Sequence, residues 1–261
     1  PASVGYAQEI AQIGGVGLKS KIHPIEGGID VESLLADAEA PPDLDIARFC
    51  QRPTAVYCGR LDGGKGIDLL LPAFAEVSAR QQDARLLLIG DGPLEKEIIS
   101  ICQSLGLSVT TDGDPDAAVF MAGYRGEPIR HFRLCQLFLF PSLHEGLGNS
   151  LIEGVASGIP VLAADCPWGP RSTLSGGELQ YGGPAPDLPL ALAHGVLMPL
   201  PDAPGAVQVW AQEMARALAA PPPQRPDHAA RLAAVARYDI AQTGPCWLHL
   251  AREMMLEAGP R

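Results

Sequence analysis

Two short segments of this chain combine residue types that can hold and neutralise an anion. The first is Gly59-Arg60-Leu61-Asp62-Gly63-Gly64-Lys65-Gly66, placed between an apolar run and a stretch of helical period. Glycines there let the backbone approach a ligand closely. Arg60 and Lys65 supply cations beside a helix start whose free N–H groups already favour negative charge. Gly59, Gly64 and Lys65 match most of a nucleoside-triphosphate loop, but Gly66 stands where Ser or Thr would hold Mg²⁺, so an ATPase is the weaker reading. A plain glycine-rich turn with two solvated cations is the structural alternative.

The second segment runs from His144-Glu145 through Gly148-Asn149-Ser150 to Glu153. Asn149 or Ser150 is expected to cap a helix reaching Ser157, with Gly158 as its stop and Pro160 beyond. Glu145 falls in the loop and Glu153 in the first turn or so, so the two carboxylates need not share a helical face. They can meet different parts of one ligand whose phosphate takes the N–H groups of Gly148, Asn149 and Ser150. For Glu153 alone, a capping role through the helix dipole competes with that use.

Other candidate groups carry less. His23, His131, His194, His228 and His249 lack a partner pattern, and only His144, beside Glu145, invites a test. Ser142 has no His/Asp arrangement to make it a nucleophile. Six cysteines without a CxxC pair, several flanked by apolar residues, read as reduced and mostly buried thiols of a cytosolic protein, and no zinc spacing is present. The formal net charge of −11 argues against nucleic acid, which is held through clustered Lys and Arg. No run of about 18 apolar residues suggests a membrane helix, and Pro1-Ala2-Ser3 reads as nothing resembling a signal peptide.

These groups need a scaffold, and 47% hydrophobic residues supply a core. Short, almost continuously apolar runs at 55–58, 85–89, 119–122, 137–140 and 160–163 alternate with helical segments, the pattern of a Rossmann-like α/β domain with a parallel sheet and helices on both faces. Pro72 is tolerable only near a helix start. A helical piece at 6–13 and a strand-like piece at 21–25 precede this region. An irregular excursion at 175–205 follows it, with one strand at 196–198. Beyond the stiff Ala220-Pro221-Pro222-Pro223 linker, 227–238 and 241–257 look helical, with Trp247, Met254 and Met255 most simply read as core.

The order of several motifs resembles the nucleotide-sugar-binding half of the GT-B glycosyltransferases, specifically the retaining family 4. These are Gly59-Arg60-Leu61 with Lys65-Gly66, Gly90-Asp91-Gly92-Pro93, Phe120 to Gly123, Phe140-Pro141-Ser142, the E-x7-E of Glu145 and Glu153, Gly158-Ile159-Pro160-Val161, and Asp165-Cys166-Pro167 leading to Gly169-Pro170-Arg171. Each is weak alone, and their shared order is specific. The resemblance covers about residues 20–175 continuously and the last helices loosely.

The resemblance implies a donor of UDP or GDP type, no cofactor and no metal. It makes Arg60 and Lys65 the cations that neutralise the leaving diphosphate. Glu153 becomes the carboxylate receiving the ribose hydroxyls, and Glu145 the one near the donor sugar. Gly59, Gly148, Asn149 and Ser150 complete the donor cradle, with Tyr124 of Gly123-Tyr124-Arg125 near the base. Asp91 is as readily a turn residue, and Arg171 either caps a helix or closes over the donor. Ile25-Glu26-Gly27-Gly28 departs from the Pro-Asn-Gly-type sequence frequent in the family. Residues 1–20 read as the end of a preceding acceptor-binding domain, 21–219 as the donor domain and 220–261 as linker and C-terminal helices. The chain is thus expected to be an excised or processed half enzyme, inactive alone, and any peripheral membrane contact belongs to the missing half. A catalytically silent binding module and a nucleotide-sugar epimerase are the competing readings.

Overall fold

A computed structural model describes residues 22–258 and, ahead of them, Ile10. Eight strands form one sheet: β1 (Thr54–Cys58), β2 (Arg85–Ile89), β3 (Val109–Thr110), β4 (Val119–Gly123), β5 (Leu137–Phe140), β6 (Val161–Ala164), β7 (Leu190–Leu192) and β8 (Gly195–Met198). Their spatial order is β3-β4-β2-β1-β5-β6-β8-β7. All neighbours are parallel except β7, which runs antiparallel along β8 at the edge. The fold class expected from the sequence is the one observed.

The near-continuous apolar strands are explained by burial on both faces. Val56, Leu87, Phe120, Phe138, Phe140 and Val161 enter one core with α1 (Val31–Asp37), α2 (Leu44–Phe49), α5 (Ile129–Phe132), α6 (Asn149–Ser157) and α7 (Pro170–Leu174). The alternate residues Ala55, Tyr57, Leu86, Leu88, Leu137 and Leu139 enter the other, with α3 (Ile67–Arg80), α4 (Glu95–Ser104) and α8 (Ala206–Ala219). The period of two along each strand divides one set of residues between two cores.

Several boundaries and placements differ from the sequence reading. Residues 22–28 form no strand: Ile29 makes a single parallel bridge to Asp239, and Gly27 lies so close to the Tyr238 backbone that an added Cβ would sit 2.5 Å from the Tyr238 carbonyl oxygen. The expected helix at 6–13 and Lys21 fall outside the described residues, apart from helical Ile10. Pro72 is inside α3, in its second turn, where it leaves the Asp68 carbonyl without the usual helical donor. The strands β3 and β7 were not expected, being only two and three residues long.

The C-terminal segment resolves into α9 (His228–Val235), a short 3₁₀ turn (Ala236–Tyr238) and α10 (Ile240–Ala258). Asp227 caps α9 by accepting from the Ala230 N–H at 2.8 Å. α9 packs on α6 and α1. Trp247, Met254 and Met255 are not core: they are exposed on α10, Met255 by 73%, because no described residue covers that face.

Candidate functional site

In an open parallel sheet, a crevice forms beyond the strand C-termini where the connections turn to opposite sides. Here the chain goes from β1 to β2 on one side, whereas β5 lies on the other flank of β1. The loops leaving β1 and β5 therefore face each other across that point, and they carry the two segments singled out in the sequence.

The loops are joined directly. The Leu143 N–H donates to the Gly64 carbonyl at 2.9 Å, and Lys65 Nζ meets Glu145 Oε1 at 2.7 Å. Ser142 Oγ donates to the same carboxylate oxygen at 2.7 Å. Glu145 is accordingly only 9% exposed in its side chain, against 27% for Lys65. A buried carboxylate is tolerated because it is both paired and hydrogen-bonded.

Gly66 explains the departure from the triphosphate loop. Its φ is +64°, and a Cβ there would lie 2.4 Å from the Pro141 carbonyl oxygen. The β5 loop passes over the position where Ser or Thr would be needed for Mg²⁺. On the other flank, Gly90 (φ +134°) lies against Gly59, where a Cβ would come 2.0 Å from the carbonyl oxygen. Asp91 serves as a turn residue, its carbonyl accepting the Leu61 N–H at 2.8 Å.

The helix after β5 starts differently from expectation. Gly148, with φ +84°, occupies the N-cap position and offers no side chain, so neither Asn149 nor Ser150 is the cap. α6 begins at Asn149, and its first N–H groups have no side-chain acceptor. Uncapped N–H groups at a helix start attract anions. Gly158 ends the helix with φ +78°, as the sequence implied.

Glu153 points back toward β1. Burial pushes its carboxyl up to about 7. It acts in turn on Cys58 at the end of β1, whose thiol is raised mainly by burial and further by the Glu153 charge. Cys166, at the end of β6, is raised by burial, then by Glu145 and Asp165. Tyr57 is raised by burial and by nearby Cys58, Asp62 and Glu145, and its hydroxyl donates to the Arg60 carbonyl at 2.6 Å. Two strand ends, those of β1 and β6, thus converge on the two carboxylates.

The remaining candidates are placed less centrally. Arg60 is 70% exposed and pairs within its own loop with Asp62 at 3.1 Å, so its guanidinium is not joined to Lys65. Tyr124 is 75% exposed after β4, while Arg125 beside it turns inward to Asp43 and Asp45. Arg171 is buried in a two-pronged pair with Asp165, at 2.7 and 2.8 Å, and lies over the Tyr181 ring. His144 is exposed, and His131 is buried.

Two contributors escaped the sequence reading. Asp62 caps the 3₁₀ turn Gly63–Lys65 by accepting the Gly64 N–H, a role signalled by Asp two residues before a glycine. Ser142 holds Glu145, a role that its place in the Phe140-Pro141-Ser142 motif did not signal. The Glu145 N–H also donates to the Pro167 carbonyl at 3.3 Å, tying the loop after β6 to the same place. Among the described residues, no three His, Cys, Asp or Glu side chains group as metal ligands.

The sequence profile of the family described as Glycosyl transferases group 1 matches residues 52–202. The chain belongs to this family. That stretch of the group 1 glycosyltransferase contains both loops and α6. An uncharacterized glycosyltransferase of Methanocaldococcus jannaschii is 32% identical over 158 residues, covering 60% of this chain and 37% of that protein. An N-acetylgalactosamine-N,N'-diacetylbacillosaminyl-diphospho-undecaprenol 4-alpha-N-acetylgalactosaminyltransferase of Campylobacter jejuni is 31% identical over 182 residues, 70% of this chain and 44% of that one. This group 1 domain spans less than half the length of either relative.

Among solved structures, HepE of Anabaena in complex with UDP and glucose superposes with a TM-score of 0.65 at 19% identity, over 97% of this chain and 62% of that one. The apo lipopolysaccharide outer core galactosyltransferase WaaB gives 0.62 at 19% identity, over 97% and 61%. Both establish a shared GT-B fold. No helix among the described residues is long and apolar enough to cross a membrane.

Proposed function

We propose that this domain binds the nucleotide diphosphate sugar of a retaining, metal-independent family 4 glycosyltransferase, and that transfer occurs once an acceptor-binding domain faces the crevice. The observation that carries the reading is the Lys65–Glu145 pair at 2.7 Å, which sets a cation beside the uncapped start of α6 at the switch point of the sheet. A diphosphate entering there takes the first N–H groups of α6 and the Lys65 ammonium. Arg60, exposed and held only within its own loop, turns from Asp62 to the same ligand. As the sugar leaves, these fixed cations neutralise the charge growing on the bridging oxygen, which is electrostatic catalysis by positioning.

Glu153 receives the ribose hydroxyls in its ionised form. Glu145, released from part of its bond to Lys65 when the phosphate competes for the ammonium, faces the donor sugar. Gly59, Gly148, Asn149 and Ser150 provide close backbone approach, and Tyr124 lies on the side of the base. Membership of the group 1 glycosyltransferases and the UDP and glucose held by HepE favour this over a silent binding module or an epimerase.

Calorimetry with UDP, GDP and ADP tests the reading. One of the three should bind to the chain and bind more weakly to Lys65→Ala. Full affinity in that variant, or no binding of any of the three, overturns it.

A further inference from the structure

At the opposite, N-terminal edge of the sheet lies an open basin of about 420 Å³, between the starts of β1 and β5. Cys50, Cys135, Arg52, Arg133, Arg225 and Gln136 contribute to its walls, and no described residue lining it is Asp or Glu. The three guanidinium groups are paired with carboxylates that do not line the basin: Glu39 takes Arg225 at 3.3 Å and Arg133 at 4.0 Å, and Asp83 and Asp116 take Arg52.

Within this basin Cys50 Sγ and Cys135 Sγ stand 3.9 Å apart, from residues 85 positions apart in sequence. Cys50 is half-buried at the C-cap of α2, and Cys135 is buried just before β5. The thiolate is the form of a cysteine that attacks a peroxide. A disulfide requires the sulfurs to approach to about 2.0 Å.

We propose that Cys50 and Cys135 are a peroxide-responsive modification site that closes to a disulfide. Cys50, the more accessible sulfur, attacks a peroxide oxygen as its thiolate. An S–O bond forms, the O–O bond breaks, and the departing hydroxide leaves as water with the proton Cys50 gave up. Cys135 then attacks the sulfenic sulfur. The S–S bond forms, the S–O bond breaks, and the leaving oxygen takes the Cys135 proton as a second water. Two thiols lose two electrons, and one hydrogen peroxide becomes two waters. Burial holds the Cys135 thiol protonated at rest, which suits the second position in this order.

The test uses the chain with Cys246→Ser, which removes the exposed thiol. After hydrogen peroxide, denaturation and alkylation with N-ethylmaleimide, peptide mass mapping should find Cys50 and Cys135 unalkylated and joined in one cross-linked pair, reversed by dithiothreitol. Cys50→Ser or Cys135→Ser on the same background abolishes the pair, and either variant suffices if the other fails to fold. UDP, GDP or ADP binding should survive the linkage, since the basin lies across the sheet from the donor crevice. Cys50 remaining alkylated while other thiols oxidise, Cys50 accumulating as sulfinic acid unlinked, or nucleotide binding lost before linkage through Cys58 or Cys166 each overturns the proposal.

Discussion

Lys65 and Glu145, 80 residues apart in sequence, close a 2.7 Å ion pair across the junction of the β1 and β5 loops. On the proposed reading, Glu145 holds at rest the cation that a diphosphate would take. Removing the ammonium in Lys65→Ala should delete one charge-assisted hydrogen bond to the ligand, about 1.5–3 kcal/mol, or about 10- to 150-fold in nucleotide diphosphate affinity. Glu145→Gln has the opposite sign: with its competitor neutralised, Lys65 should bind a free nucleotide diphosphate more tightly. Calorimetry on both variants reads the two directions.

On the proposed reading, Glu153 should make nucleotide binding depend on pH. Its carboxyl is raised to about 7, so near neutrality it is half protonated, while ribose hydroxyls would donate to the ionised form. Affinity should rise between about pH 6 and 8, with proton release on binding seen in buffers of different ionisation enthalpy. Glu153→Gln should bind weakly and without that pH dependence.

The same shift fixes a stability effect. Because the folded carboxyl holds its proton at a pH where the unfolded one has lost it, the native state binds more protons between about pH 4.5 and 7. Stability then falls as pH rises through that window, by at most about 3 kcal/mol. Glu153→Gln should melt higher than the parent chain at pH 8.

His131 works in the other direction. It is fully buried, with neither ring nitrogen hydrogen-bonded, and burial lowers it to about 4, partly opposed by Asp43 at 3.6 Å. The unfolded state takes the proton first, so stability is lost as pH falls from about 6.5 to 4. In the parent chain this loss is offset by Glu153 over the shared range. Melting curves of Glu153→Gln should therefore decline more steeply on acidification than those of the parent chain.

Gly90→Ala tests the support beneath the β1 loop. Its Cβ would meet the Gly59 carbonyl at 2.0 Å, at a φ of +134°. The expected cost is about 3 kcal/mol or more, combining backbone strain with a clash against main chain. A melting temperature within a degree of the parent would show that the two loops separate freely.

The sheet was legible because strands such as 85–89 and 137–140 are apolar on both faces, which a parallel sheet between two helical layers requires. The short strands β3 and β7 carry too few residues for a pattern. The end of α6 was legible because its chemistry is local, with Gly158 as the stop, whereas its start was not, since Gly148 rather than Asn149 or Ser150 holds the N-cap position. What could not be read was pairing across distance: that Lys65 would meet Glu145, and that Arg125 would turn to Asp43 and Asp45. Those depend on which strand neighbours which, and the order β2-β1-β5 is set by the whole fold. Trp247 and Met254 were misplaced for a related reason, since their apolarity matches a surface that no described residue covers.

The central position of β1 also governs how the molecule can be made. One edge of β1 is filled early by β2, but the other waits for Leu137–Phe140, so a growing chain presents an open ladder of unpaired amides until that segment emerges. Every step that delays β5 lengthens the time in which a second nascent copy can take its place.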